Sequence, residues 1–240
     1  MKLEVAKFYN EEKSWSELSE YLAQIDNVKE LWPSLIPFYF SLQIAYQKNA
    51  QTELSSKIKP KILNLYSSGK TLGLKFPLES LDIVANYKIK DLYEQLDDFY
   101  KLKLEFPEKK FNDILKLKFS KLESITSKAL ELLSLGSGLG LVRTYKYLVE
   151  TYQYLINEIS NFNPADKSQD YIDSFKKGIS SVLLPLQKKV GDYRIEANKQ
   201  IQSENILSRD NSFFTQNSNI PVAVEYQFLK GALIMDKGGL

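Results

Sequence analysis

The chain has 240 residues, 43% of them hydrophobic and 26% charged, with 32 basic against 30 acidic side chains and neither cysteine nor histidine. The two zeros exclude a disulfide framework, Cys/His zinc sites, His-bearing triads and imidazole bases, so any chemistry falls to carboxylates, lysines, tyrosines and hydroxyls. A formal net charge of +2 gives almost no long-range field, and binding to nucleic acid would need a local basic patch.

In chain order, Met1 to Asn10 reads as the start of an amphipathic helix and lacks the charged, apolar and small-residue segments of a signal peptide. Helices follow near 14 to 25, 34 to 48, 53 to 67, 78 to 87 and 91 to 105. Ser14 and Glu17 are spaced as a capping box at the head of the first of these. Phe76-Pro77 and Phe106-Pro107 each follow an amphipathic run, and proline restrains the residue before it and cannot continue a helix, so each pair marks a stop and a restart.

The spacing of Phe111, Leu115, Leu122, Ile125, Ala129 and Leu132 predicts a long helix over 108 to 134. Leu141, Tyr145, Leu148, Tyr152, Leu155 and Ile159, with Val142, Val149 and Ile156 beside them, predict another over 141 to 160. The short, glycine-dense Leu135 to Gly140 between them forces an antiparallel hairpin. Asp166 is placed to cap a helix from about 167 to 190, which Pro185 should kink or divide near residue 181. Tyr193, Ala197 and Ile201 carry a last run to about 207. A Ser/Asn/Gln-rich stretch occupies 208 to 219, and Pro221 to Met235 is apolar, readable as a docked helix or as an extended segment. No β-sheet domain is read, and no stretch approaches the roughly 18 apolar residues of a membrane-spanning helix.

Chemistry is sparse. Gly136-Ser137-Gly138-Leu139-Gly140 precedes a helix, but a phosphate loop needs a preceding strand, and the Walker form needs a Lys-Ser/Thr pair; the hairpin turn is the better reading. The 15 tyrosines and 13 phenylalanines sit at helical spacing and fill seams between helices, although aromatics among lysines over 101 to 119 could stack bases. Lys57, Lys59, Lys61, Lys70 and Lys75 form a solvated face or a contact for anionic lipid. Glu11-Glu12 and Asp97-Asp98 diverge by about 100° on a helix and cannot flank one bond. Only Arg143, Arg194 and Arg209 are arginines, which counts against phosphate clamping and base reading. No catalytic, cofactor-binding or metal-binding residue is assigned.

Serial helical hairpins of about 34 residues, each ending in proline, resemble tetratricopeptide repeats. Lys7-Phe8-Tyr9 with Trp15 and Tyr21 looks like the first helix of such a repeat, and Glu105-Phe106-Pro107 like its closing motif. Leu135 to Val149, with Pro185-Leu186-Gln187-Lys188 further on, resembles the C-terminal part of large tetratricopeptide proteins of predatory and gliding deltaproteobacteria. The small residues expected at the crossing of each helix pair are replaced by Tyr, Leu or Lys, so the repeats are degenerate. The resemblance covers about 90 to 207 and implies interaction scaffolds associated with the cell envelope.

The expected fold is all-α, with antiparallel hairpins stacked as a short, degenerate tetratricopeptide-like solenoid. Hairpins occupy 1 to 90, longer ones 91 to 207, and a polar linker with a terminal segment 208 to 240. The expected function is non-catalytic: a groove on the helices at 91 to 105 and 141 to 160, lined by Arg143, Lys146, Glu150 and Gln153, receives another protein or peptide without cofactor, metal or small-molecule substrate. The alternative is a helical protein that binds nucleic acid or, peripherally, an anionic membrane surface. Periplasm or envelope follows if the resemblance holds for a longer parent chain, and cytoplasm otherwise.

Overall fold

The computed structural model describes residues 1–164, 167–215, 226–229 and 232–235. Asp166, the expected cap, the linker beyond residue 215 and the beginning of the apolar tail lie outside them. The fold is all-α apart from one short strand pair, and it divides into two compact units, Met1–Lys88 and Ile89–Leu240.

The first unit contains α1 (Lys2–Glu11), α2 (Trp15–Ile25), α3 (Trp32–Lys48), α4 (Thr52–Thr71) and the beginning of α5 (Leu78–Lys101). Ser14 stands at the N-cap of α2 but makes no side-chain capping bond, so the capping box does not form. The turns are tight: Lys13 and Ala50 adopt positive φ, and Gly73 at φ 72° ends α4 at little steric cost. α3 and α4 pack as an antiparallel pair. Gln43 donates to the carbonyl of Ser55, and Lys61 stands over the Tyr39 ring at 5.9 Å. At the end of α2, the Asp26 carbonyl accepts from the Trp32 indole at 2.7 Å, and its carboxylate pairs with Lys61.

Pro37 sits inside α3 and has no N–H to offer the carbonyl one turn back, that of Pro33. The hydroxyl of Ser80, itself fully buried, donates to that carbonyl at 2.6 Å and so ties α5 to the gap the proline leaves. Ser80→Ala should cost about 1–3 kcal/mol, since it leaves a buried acceptor unpaired. Both tryptophans, Trp15 and Trp32, belong to this unit. Urea unfolding followed by tryptophan fluorescence should therefore show a lower midpoint at unchanged slope.

Two helices were expected over 78 to 105, and the structure has one, α5. Lys88-Ile89-Lys90 contains no breaker, and buried Ile89 and Leu92 extend the stripe of Ile83, Val84 and Ala85.

In the second unit the remainder of α5 joins α6 (Glu108–Leu133), α7 (Gly138–Asn161) and α8 (Gln169–Ser203), followed by a 3₁₀ turn, Arg209–Phe214. α6 and α7 are antiparallel, as the short turn demands: Thr126 meets Tyr152, Lys118 meets Glu158 and Phe111 meets Phe162. α7 and α8 are antiparallel too, through Phe162 against Phe175 and Tyr145 against Gln200. α5 runs parallel to α7, with the Tyr147 hydroxyl donating to the Leu92 carbonyl at 2.8 Å and Phe99 stacking edge-on against Tyr154. α7 is therefore the central helix, and more than half of its 24 residues are buried.

Lys118 of α6 is fully buried between these helices. Its ammonium lies 2.6 Å from Glu158, donates to the Phe99 carbonyl at 3.2 Å and stands over the Phe99 ring at 4.6 Å. Phe99 is in the last turn of α5, where carbonyls lack helical partners and a cation is favoured, so a lysine from another helix closes that end. Burial pushes the Lys118 ammonium below the ordinary lysine range, and Glu158 offsets this in part.

Pro185 does not divide α8, which continues to Ser203. The proline is exposed beside Leu184, while Leu186, Val190, Tyr193, Ala197 and Ile201 hold the inner face. Ser168 caps the helix by accepting from the Tyr171 amide. The apolar tail is extended where described: β1 (Tyr226–Leu229) pairs antiparallel with β2 (Ala232–Met235), with Tyr226 opposite Met235 and Leu229 opposite Ala232. Among the described residues, no helix is long and apolar enough to cross a membrane.

Candidate functional site

α7 begins at the glycine turn. Gly136 adopts φ 77°, the left-handed conformation that closes α6. Ser137 caps α7, its hydroxyl accepting from the Gly140 amide at 2.8 Å and its carbonyl from the Leu141 amide. Those amides are consumed within the turn, which leaves it a structural role in place of a phosphate cradle. A Cβ on Gly138 would stand 3.3 Å from Ile206, so glycine here lets the chain beyond α8 approach the first turn of α7 closely.

With the inner faces of α7 buried, its polar residues fall along one edge, and Arg143, Lys146, Glu150 and Gln153 are all half-buried on it. Their spacing of three, four and three keeps them in one row. The structure does not leave the row open. The 3₁₀ turn lies at its N-terminal end, and Asp210 receives hydrogen bonds from the Arg143 Nε and the Lys146 Nζ, both at 3.0 Å. Phe213 lies beneath two cations, Lys146 at 5.8 Å and Arg194 of α8 at 4.8 Å, and the Arg194 guanidinium donates to the Phe213 carbonyl. Phe214 is 2% exposed and Asn211 fully buried, with the Asn211 amide donating to the Ile206 carbonyl at 2.9 Å.

Further along the row, Glu150 stands near Tyr93 of α5, and Gln153 donates to Asn157 at 3.0 Å. The four residues expected to line a groove thus share one edge, but its first two hold a segment of their own chain. Sequence reasoning missed Asp210, Phe213, Phe214 and Arg194. The signal available was that two of only three arginines in the chain, Arg143 and Arg194, serve this one turn.

The electrostatics follow from this geometry. Burial pushes the Asp210 carboxyl up, but the hydrogen bonds and charges of Arg143 and Lys146 outweigh it and hold the group below the ordinary aspartate range. Burial dominates at Glu150, whose carboxyl rises above the ordinary glutamate range despite Lys146 and Tyr93. A depressed Asp210 contributes stability above the ordinary aspartate range and loses it as pH falls through the lowered value; Glu150 contributes in the opposite sense, less as pH rises through its own window. A ¹³C titration of the Asp210 carboxyl should therefore show a midpoint below the ordinary range, moving upward in Arg143→Ala.

Several of the remaining candidates are satisfied locally. Lys57 pairs with Glu53, Lys61 with Asp26, and Lys59 stands over the Tyr87 ring at 5.8 Å, which ties those three lysines to their own unit. Asp98 pairs with Lys101 at 3.2 Å. Burial pushes Tyr87, Tyr93 and Tyr145 up to about 12 and Tyr147 and Tyr193 higher still, away from use as bases near neutrality. A cavity of about 300 Å³ between α6 and α8 has a mixed lining, with Phe111, Leu115 and Phe175 beside Glu108, Asn112 and Tyr171. Among the described residues, no group of three or more acidic side chains is placed to hold a metal ion. No protein-family model matches this chain, and neither a curated protein nor a solved structure matches it.

Proposed function

We propose that this chain is a non-catalytic interaction scaffold, a degenerate tetratricopeptide-like solenoid that binds a partner protein or peptide along the polar edge of α7. The observation that carries the reading is the docked 3₁₀ turn: one short segment is held there by three cations, Arg143 and Lys146 on a carboxylate and Lys146 and Arg194 over an aromatic ring. These are interactions by which proteins recognise short segments of other chains. Tyrosines whose ionisation burial suppresses, and helices joined as serial antiparallel pairs, support a role in shape and contact. The envelope association carried by the sequence resemblance belongs to the same proposal, as does independence from any cofactor.

A native pull-down with the purified chain tests it. The expected result is capture of a defined protein, reduced when Gln153→Lys places a charge on the half-buried far part of the edge. Recovery of nucleic acid alone would overturn it.

A further inference from the structure

The 3₁₀ turn is held differently from the helices around it. Its contacts to α7 and α8 include the charge-assisted bonds of Asp210 and cations over a half-buried Phe213, with Phe214 and Asn211 buried beneath. It is six residues long and follows a short turn in which Asn205 adopts φ 52° and Leu207 is 64% exposed. The row continues beyond Arg143 and Lys146, the two residues that hold Asp210, to the half-buried Glu150 and Gln153.

We propose that this seat is a recognition site for an acidic–aromatic peptide segment of another protein, an acidic residue followed three positions later by a pair of aromatics, and that Asp210 to Phe214 is a built-in occupant which such a segment displaces. The proposal rests on the scaffold reading and names the chemistry of its partner. Charge complementarity fixes the acidic position. Arg143 and Lys146 offer two donors to one carboxylate, and guanidinium holds such a group in defined geometry where a lysine acts as a point charge. Arg194 and Lys146 fix the first aromatic, and the buried place of Phe214 the second. A second copy of this chain is a poor displacer. Its segment is identical, and the tethered segment competes at an effective concentration of order mM. A partner that also engages Glu150 and Gln153 gains contacts beyond the two that hold Asp210.

The probe is a fluorescein-labelled peptide of residues 206–215, titrated by anisotropy into the full chain at low salt. Phe214→Ala removes the anchor of the resident segment without touching the seat, and should bind the peptide at least tenfold more tightly than the unaltered chain. Adding Arg143→Ala and Lys146→Ala, or substituting Asp210→Asn within the peptide, should abolish the gain. Asp210→Asn in the chain provides a second vacated seat should Phe214→Ala fail to fold by circular dichroism. Peptide binding no tighter in a folded vacated variant, or unaffected by loss of Arg143 and Lys146, overturns the proposal. Elution of the unaltered chain as a dimer that the peptide dissociates would assign the seat to a second copy and overturn the choice of partner. Failure of the peptide with continued capture of a protein sensitive to Gln153→Lys would reject this occupant and leave the scaffold reading standing.

Discussion

Lys118→Ala destabilises the second unit by about 3–5 kcal/mol, the cost of leaving one member of a buried ion pair alone. The substitution strands Glu158 close to an apolar seam and removes the donor that closes the last turn of α5 at the Phe99 carbonyl. It also empties the space over the Phe99 and Tyr154 rings. For a chain of this size the loss corresponds to a fall in Tm on the order of 10 °C, read by circular dichroism. Pairing Lys118→Met with Glu158→Leu should recover most of it, because apolar side chains of similar volume avoid the desolvation the ions incur. Recovery should stop short of the starting value. Glu158 also accepts from the Leu104 amide, and both that amide and the Phe99 carbonyl would be left without these partners. A single Lys118→Ala as stable as the unaltered chain would show that the pair contributes nothing.

Phe214→Ala should have the second largest effect, and a more local one. Truncating a buried phenylalanine costs about 3–5 kcal/mol where the surrounding structure cannot relax. Here the segment can undock while α7 and α8 remain packed through Tyr145, Tyr152 and Tyr193, so the loss is limited by the free energy of docking. The global transition should move little. Trypsin cleavage after Arg209, which is exposed, should accelerate at least tenfold, since proteolysis follows the population of the open segment. A large fall in Tm with unchanged cleavage would mean that the 3₁₀ turn belongs to the cooperative core.

Much of the fold was legible because apolar periodicity is local. The stripe from Leu141 to Ile159 and the glycine turn before it gave α7, its boundaries within a few residues and its antiparallel partner. Misreadings arose where a local signal was weighed without its surroundings. Pro185 reads as a kink or a division, and α8 is not divided there: its inner face runs on from Leu186 through Val190 to Ile201. Ser14 has the right spacing for a capping box, but its backbone at ψ 73° makes no such bond.

The site was legible only in half. Arg143, Lys146, Glu150 and Gln153 follow from one helical period, and they do share an edge. What covers that edge lies 67 residues away at Asp210, in a polar stretch whose composition resembles a linker. Lys118 has the same difficulty: a lysine in an amphipathic helix reads as solvated, and only the approach of Glu158 makes its burial tolerable.

The choice of arginine in the seat has a consequence for covalent modification. Acetylation neutralises lysine and leaves guanidinium untouched. In this chain all but three of the 32 basic residues are lysines, so extensive acetylation would turn the surface strongly acidic. Lys146 would be lost from the seat, but Arg143 and Arg194 would keep their charge against Asp210 and Phe213. The seat would then stand as an isolated cationic point on an anionic protein, its preference for carboxylate intact while the rest of the surface repels it.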